Sequence, residues 1–169
     1  MTNMSTEVTM QEIEITSLRE AVDFAITTEQ LGAKSYRRLA RNLKDDNEIA
    51  ELFLRLAQDE ERHEAEFQAL RETVPDADVA RDYPETYGFL RAMSISEFFS
   101  PRSGMTRAVD EITSPSDALR RAVELEKATL GYYQALQEIL GDSEALDGIL
   151  RAEREHLLSV TRRLEERAD

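Results

Sequence analysis

The chain contains two histidines, and each one follows a glutamate by three residues: His63 follows Glu60, and His156 follows Glu153. On an α-helix, residues three apart lie about 60° apart around the axis and about 4.5 Å apart along it. A glutamate and a histidine at this spacing can therefore bind one metal ion from the same side. The glutamate can also reach a second ion. The two pairs indicate metal-dependent chemistry with carboxylate and imidazole ligands.

Each pair interrupts a stripe of apolar residues that has helical spacing. Two further glutamates, Glu29 and Glu126, interrupt two other stripes in the same way. The apolar members of the four stripes are, in chain order, Leu18, Val22, Ala25, Leu39 and Leu43; Ile49, Phe53, Leu56, Phe67 and Leu70; Leu119, Ala122, Leu136 and Leu140; and Leu146, Ile149 and Val160. The stripes predict helices whose buried faces carry these polar residues at mid-length.

Buried glutamates of this kind create an energetic problem. An unpaired carboxylate in an apolar core costs on the order of several kcal/mol, and neighbouring carboxylates also repel one another. Divalent cations would neutralise them, and two neutral imidazoles would complete the coordination. Such ligands suit iron or manganese. We therefore predict that two iron ions, or manganese in their place, bind Glu29, Glu60, His63, Glu126, Glu153 and His156.

The predicted ligands recur in two halves of the chain. A tyrosine follows the single glutamate by seven residues in both halves, as in Glu29 with Tyr36 and Glu126 with Tyr133. This internal duplication strengthens the metal-site interpretation. Tyr36 and Tyr133 are predicted to be core residues whose hydroxyls bond to ligand carboxylates. Glu124 stays an alternative to Glu126 as the ligand from the third helix.

Less specific interpretations of these residues also stay open. The glutamates of the two Glu-x-x-His pairs could belong to solvated acidic faces. His63 and His156 could be core histidines with ordinary hydrogen-bond partners. A solvated face is the preferred interpretation for two neighbouring glutamates, Glu61 and Glu64.

Capping signals define the ends of the helices. Ser17 followed by Glu20 resembles a capping box, Ser114 before Pro115 is typical of a helix start, and Gly141 is typical of a helix end. A tail is predicted for residues 1–16 and one helical domain for residues 17–169. The predicted helices run over about 17–43, 48–73, 114–140 and from 142 or 143 to near the C-terminus.

The connection over residues 75–113 differs in composition from the helices. It holds three of the four prolines and an apolar middle that includes Phe89 and the pair Phe98–Phe99. A loop of this length without structure is uncommon in a compact domain, so one or two short helices are predicted here. The predicted fold is an all-α antiparallel four-helix bundle with a long crossover between its second and third helices.

Composition excludes several classes of function. The chain has 169 residues, a net charge of −14 and no cysteine. Disulfides, thiolate metal sites and thiol catalysis are therefore excluded from it. The negative charge disfavours nucleic acid and anionic membranes as partners. No run of apolar residues is long enough to span a membrane and no secretory signal is visible, so the cytoplasm is the predicted compartment.

At these residues the chain resembles the ferritin-like superfamily, and within it the rubrerythrin-like branch. The resemblance covers about residues 17–166. It implies a ferritin-like bundle, a homodimer or larger homo-oligomer, and iron that cycles between ferrous and ferric states. The matching segments are Glu29 with Tyr36, residues 56–63, Glu126 with Tyr133, and residues 153–156.

Two departures from rubrerythrins accompany the resemblance. Rubrerythrins carry a rubredoxin domain that binds iron through cysteines, whereas this chain has no cysteine, so an external electron donor is expected. Rubrerythrins also carry an extra glutamate one turn beyond the ligand of the third helix. Thr129 stands at that place, or Lys127 if Glu124 is the ligand. This difference weakens the prediction of rubrerythrin-type peroxidase chemistry.

The resulting functional prediction is a non-haem di-iron oxidoreductase that reduces hydrogen peroxide or dioxygen as ferrous iron is oxidised. In this prediction Glu60 and Glu153 bridge the two ions and each histidine binds one ion. The small residues Gly32 and Thr129 leave room for the oxidant. The alternatives are an iron-storage or iron-handling protein with ferroxidase activity, a dimanganese protein with catalase-like activity, and a metal-free structural bundle.

Overall fold

A computed structural model describes residues 15, 17–94 and 109–167 of the chain. Within them, long helices alternate with short connections, and β-structure is limited to one isolated bridge between Ser17 and Asp78. None of the helices in this part of the chain is apolar enough over its length to cross a membrane. The helices whose bounds lie within the described residues are α1 (Leu18–Asn42), α2 (Asn47–Thr73), α3 (Val79–Asp82), α4 (Pro84–Ser94), α5 (Pro115–Leu140) and α6 (Glu144–Glu165).

The helix ends follow the capping signals in the sequence. Ser17 accepts a hydrogen bond from the backbone N–H of Glu20, whose side chain accepts one from the N–H of Ser17. Ser114 caps α5, and Pro115 occupies its first turn, where a missing N–H costs nothing. Gly141 ends α5 with a positive φ of 75°, which glycine adopts without strain. The predicted boundaries of the four long helices are confirmed to within one or two residues.

Short turns make two antiparallel hairpins, α1 with α2 and α5 with α6. The hairpins pack together through contacts of α1 with α5 and of α2 with α6. Ion pairs at the surface also join α2 to α6, including Glu48 with Arg163. The predicted all-α four-helix bundle is confirmed.

The apolar core forms two separate clusters, one toward each end of the bundle. On α1, for example, Ala25 belongs to one cluster and Tyr36 to the other; on α2, Phe67 belongs to the first and Ala57 to the second. The residues between these positions on all four long helices include the predicted ligands. The bundle therefore has a polar layer enclosed between two apolar layers, and each long helix contributes to it.

The connection from α2 to α5 contains the short helices α3 and α4, as predicted for residues 75–113. Leu90 on α4 and Val79 on α3 are fully buried in the first cluster. Ile15, assigned to the predicted tail, is also fully buried there. Most of the tail, the pair Phe98–Phe99 and the path of residues 95–108 lie outside the described residues. The crossover between the hairpins therefore stays a prediction.

Candidate metal centre

The structure brings together all six side chains that the sequence singled out as ligands. One glutamate comes from each of α1 and α5, and a glutamate with a histidine comes from each of α2 and α6. None of the six residues is more than 5% exposed. The six are Glu29, Glu60, His63, Glu126, Glu153 and His156.

These side chains form two overlapping groups, each with ligand atoms that lie within 4.8 Å of one another. Glu60 and Glu153 belong to both groups. Glu29 and His63 complete the first, and Glu126 and His156 complete the second. Each group could hold one divalent ion. Two ions bound in this way would have the shared carboxylates, Glu60 and Glu153, between them.

Each histidine directs its Nδ1 atom toward the carboxylates. Nδ1 of His63 lies 2.8 Å from Oε1 of Glu153 and 3.7 Å from Oε2 of Glu29. Nδ1 of His156 lies 3.4 Å from Oε1 of Glu60. The ring centroids of the two histidines are 5.5 Å apart. The two Nδ1 atoms are therefore placed to serve neighbouring ions, one in each group.

Most of these buried ligand atoms lack hydrogen-bond partners. Even the close contact between His63 and Glu153 does not have the geometry of a hydrogen bond. Native proteins leave few buried polar atoms unpaired, because each one costs about 1–3 kcal/mol. A bound cation would satisfy them together, so the donor set fits a divalent metal. Within the described residues, the unpaired atoms of the cluster are Oε2 of Glu29, Nδ1 of His63, Oε2 of Glu126, both carboxylate oxygens of Glu153 and Nδ1 of His156.

Burial makes three glutamates of the metal-free cluster hold protons more strongly than free glutamates do. It raises the pKa of Glu29, Glu60 and Glu126 well above the usual value, and the negative charge of Glu153 raises all three further. Burial lowers the pKa of His63, but the contact with Glu153 and the negative charges of Glu153, Glu60 and Glu66 together outweigh this effect and leave the pKa raised. A divalent cation would compete with these protons, so its binding would release them.

The same balance applies to His156. Burial lowers the pKa of this ring, while its contact with Glu60 and the charge of Glu153 raise it by more. Both imidazoles therefore gain protons more readily than a free histidine does in the metal-free protein.

Two tyrosines bond the single glutamates across the bundle. Tyr36 of α1 donates a hydrogen bond to Oε1 of Glu126 on α5, and Tyr133 of α5 donates one to Oε1 of Glu29 on α1. Burial raises the pKa of both phenols well above the usual value, so they keep their protons. Each hydroxyl fixes one oxygen of a carboxylate and leaves the other oxygen facing the cluster.

Neighbouring acidic residues point away from the cluster. Glu124, the alternative to Glu126, is exposed and pairs with Arg121 at 2.9 Å. Glu61 is also exposed and pairs with Arg37. Glu64 lies at the surface and accepts a hydrogen bond from Gln30. These three glutamates belong to the solvated faces of their helices.

Gly32 lies one turn beyond Glu29, where the sequence predicted open space for an oxidant. A Cβ atom at this position would meet Oε2 of Glu60 at 3.1 Å. The Glu60 carboxylate thus lies directly beside Gly32. Room for an oxidant at this position stays a prediction. Gly32 is needed to let the shared carboxylate approach α1 closely. Its counterpart in the other half, Thr129, is buried.

Asp59 is a contact of the cluster that the sequence reasoning missed. Its Oδ2 atom lies 3.1 Å from Nε2 of His156, on the side of the ring opposite the other carboxylates. The one available signal was its position immediately before Glu60. Since Asp59 also precedes a solvated acidic stretch, its type and spacing did not distinguish it from surface residues.

A sequence model of the rubrerythrin family matches residues 20–164, a range that contains all six cluster residues. The chain belongs to the rubrerythrin family. Rubrerythrins form part of the ferritin-like superfamily, so the bundle has a ferritin-like fold. No curated protein and no solved structure matched the chain in the parallel comparisons. Family membership suggests a di-iron carboxylate protein, and the buried cluster of glutamates and histidines fits a metal site.

Proposed function

We propose that this rubrerythrin-family chain is a non-haem di-iron oxidoreductase that reduces hydrogen peroxide or dioxygen. The observation that carries the proposal is the set of six buried side chains whose unpaired ligand atoms form two groups with two shared carboxylates. An apolar interior tolerates such a set poorly unless cations are bound. Carboxylate and imidazole ligands favour iron or manganese, and the family favours iron.

The proposed roles of the residues follow from the two groups. Glu60 and Glu153 serve both ions, and each of the other four residues serves one. Tyr36 and Tyr133 hold the two unshared carboxylates in place through hydrogen bonds across the bundle. The ligands lie within long α-helices, which hold side chains more precisely than loops do, so the ligand geometry is largely preformed. The unshared ligands are Glu29 and His63 for one ion and Glu126 and His156 for the other.

Reduction of hydrogen peroxide to two water molecules needs two electrons and two protons. Iron held by this cluster would supply the electrons, so the reaction would need no serine, cysteine or lysine nucleophile. The protein contributes a buried site between two apolar layers, which limits the access of water. The hydroxyls of Tyr36 and Tyr133 hold protons directly beside the ligand carboxylates. An external donor must then return the electrons.

Turnover tests this activity. Protein loaded with ferrous iron under anaerobic conditions is mixed with hydrogen peroxide, with and without a reducing dye as electron donor. We expect repeated consumption of peroxide only when the donor is present. Glu153→Gln should abolish it, and the exposed control Glu124→Gln should keep it. Consumption of a single equivalent that no donor can renew would instead favour iron storage with ferroxidase activity.

The identity of the metal is tested separately. Protein produced with both iron and manganese in the medium should contain iron. Manganese in the purified protein, together with release of dioxygen from peroxide, would replace the proposal with a catalase-like dimanganese protein.

Homo-oligomerisation is common in the family. A homodimer in the cytoplasm is our proposal for this chain, and light scattering tests its oligomeric state.

A further inference from the structure

The two halves of the metal centre differ at one hydrogen bond. Oδ2 of Asp59 lies 3.1 Å from Nε2 of His156. The side chain of Asp59 is 33% exposed and also pairs with Arg62 at 2.8 Å, so it is held from both sides. The contact crosses from α2 to α6 and joins one hairpin to the other.

The internal repeat shows that the other half lacks this arrangement. Asp59 immediately precedes Glu60, and the residue that immediately precedes Glu153 is Ala152. A methyl group cannot accept a hydrogen bond from His63. Among the described residues, the acidic side chains within 4.0 Å of the His63 ring are Glu29 and Glu153, and both approach Nδ1. In the part of the chain that the structure describes, His156 therefore has a carboxylate within hydrogen-bond distance of Nε2, and His63 has no acidic group within 4.0 Å of that atom.

The position of Asp59 determines which nitrogen of His156 is available as a ligand. Nδ1 of His156 faces the carboxylates of the cluster and lacks a hydrogen-bond partner. When Nε2 carries the proton, it donates to Asp59 and leaves the lone pair of Nδ1 directed at the cluster. A carboxylate in this position orients a ligand imidazole, selects its tautomer and increases its basicity.

We propose that Asp59 is a positioning residue that makes the two metal positions unequal. The position that contains Glu126 and His156 binds its ion more tightly and fills first. The position that contains Glu29 and His63 fills second. This inference rests on the proposed di-metal site, but it concerns the order and affinity of binding rather than the existence of the site.

Anaerobic titration of the metal-free protein with Co²⁺, followed by its visible absorption, tests the proposal. We expect wild-type protein to bind two ions in two distinguishable steps. Asp59→Ala should weaken the tighter step by roughly 10–100-fold and leave the other step in place. Asp59→Asn keeps a hydrogen-bond acceptor and should recover part of the loss. Glu155→Gln, which removes an exposed charge beside His156, should change neither step.

The reciprocal variant Ala152→Asp places a carboxylate at the matching position of the other half and should strengthen the weaker step. Circular dichroism of each metal-free variant checks that the helices remain formed. Two ions bound with equal affinity in wild-type protein, or two steps that Asp59→Ala and Asp59→Asn leave unchanged, would overturn the inference while the di-metal site stands. A protein that binds no Co²⁺ would overturn the proposed site itself.

Discussion

The α1–α2 hairpin and the α5–α6 hairpin supply the same kinds of ligand but surround them differently. Each hairpin gives a single glutamate, a tyrosine seven residues later and a Glu-x-x-His pair. Two of the matched positions that differ lie beside the candidate ligands. Gly32 corresponds to Thr129, and Asp59 corresponds to Ala152. The repeated residues are those that we propose to bind the two ions, whereas the divergent residues are free to make the two halves unequal.

Neither hairpin completes its half of the centre alone. Tyr36 of the first hairpin bonds Glu126 of the second, and Tyr133 of the second bonds Glu29 of the first. Glu60 and Glu153 belong to both ligand groups. The centre therefore joins the two hairpins. Substitutions should show which residues bind both of the proposed ions and which bind only one.

The largest expected effect distinguishes shared from unshared carboxylates. Glu153→Gln removes a ligand from both groups and should prevent stable binding of the ion pair, whereas Glu126→Gln should leave one ion bound at the Glu29 and His63 position. Losses at these ligands should exceed the roughly 10–100-fold typical of an outer partner. Metal analysis after anaerobic loading with ferrous iron measures the number of ions per chain.

Glu124→Gln is the matched control for this comparison, since it removes an exposed carboxylate two residues from Glu126 on the same helix. It should retain two ions per chain. Equal loss of metal in the Glu126→Gln and Glu124→Gln variants would show that the assignment of the α5 ligand is wrong.

The next effect concerns the stability of the metal-free protein as a function of pH. The pKa of Glu126 is raised in the folded state above its ordinary value near 4.5. The stabilisation linked to its proton is therefore complete below about pH 4.5 and is lost as the pH rises through the folded-state pKa. The loss is about 1.4 kcal/mol per pH unit for one such group. Glu126→Gln cannot titrate, so it should become increasingly more stable than wild type above pH 4.5.

When metal is bound, the wild-type protein should instead be more stable than Glu126→Gln, because its carboxylate binds an ion that glutamine binds poorly. Urea denaturation of both proteins at several pH values, with and without metal, measures both differences. If the stability of metal-free Glu126→Gln relative to wild type does not increase with pH, the pKa of Glu126 is not raised by burial in the folded protein.

The smallest effect tests the close approach at Gly32. Gly→Ala within a helix ordinarily stabilises a protein by about 0.5–1 kcal/mol, and Gly148→Ala on α6, where the added methyl meets no neighbour, should show this gain. Gly32→Ala should give a smaller gain in stability or none, because the added methyl group displaces the Glu60 carboxylate. Thermal denaturation measures stability, and Co²⁺ titration should reveal weaker binding only in Gly32→Ala. Unchanged binding in that variant would remove the proposed role of Gly32.

Much of this architecture follows from local sequence signals. The ends of the long helices depend on caps such as Ser17 and Ser114 and on the glycine at position 141, which act within one turn of the chain. The placement of polar residues on the buried stripes depends on helical periodicity, which also acts locally. These features were predictable because their causes lie within a few residues in the sequence.

Contacts between hairpins were harder to predict. The hydrogen bond between Nε2 of His156 and the Asp59 carboxylate depends on the relative height of α2 and α6, which no local pattern specifies. The occupation of the space beside Gly32 by Glu60 likewise depends on the distance between α1 and α2. Side-chain spacing along one helix indicates which residues share a face, but it does not give the depth to which a neighbouring helix inserts its side chains.

Anaerobic binding of ferrous iron to the metal-free protein tests the central claim most directly. We predict two ions per chain and a melting temperature that rises on loading, since ligand at about 100 times its dissociation constant adds about 2.7 kcal/mol per site. A chain that remains metal-free under these conditions, with an unchanged melting temperature, would contradict the account.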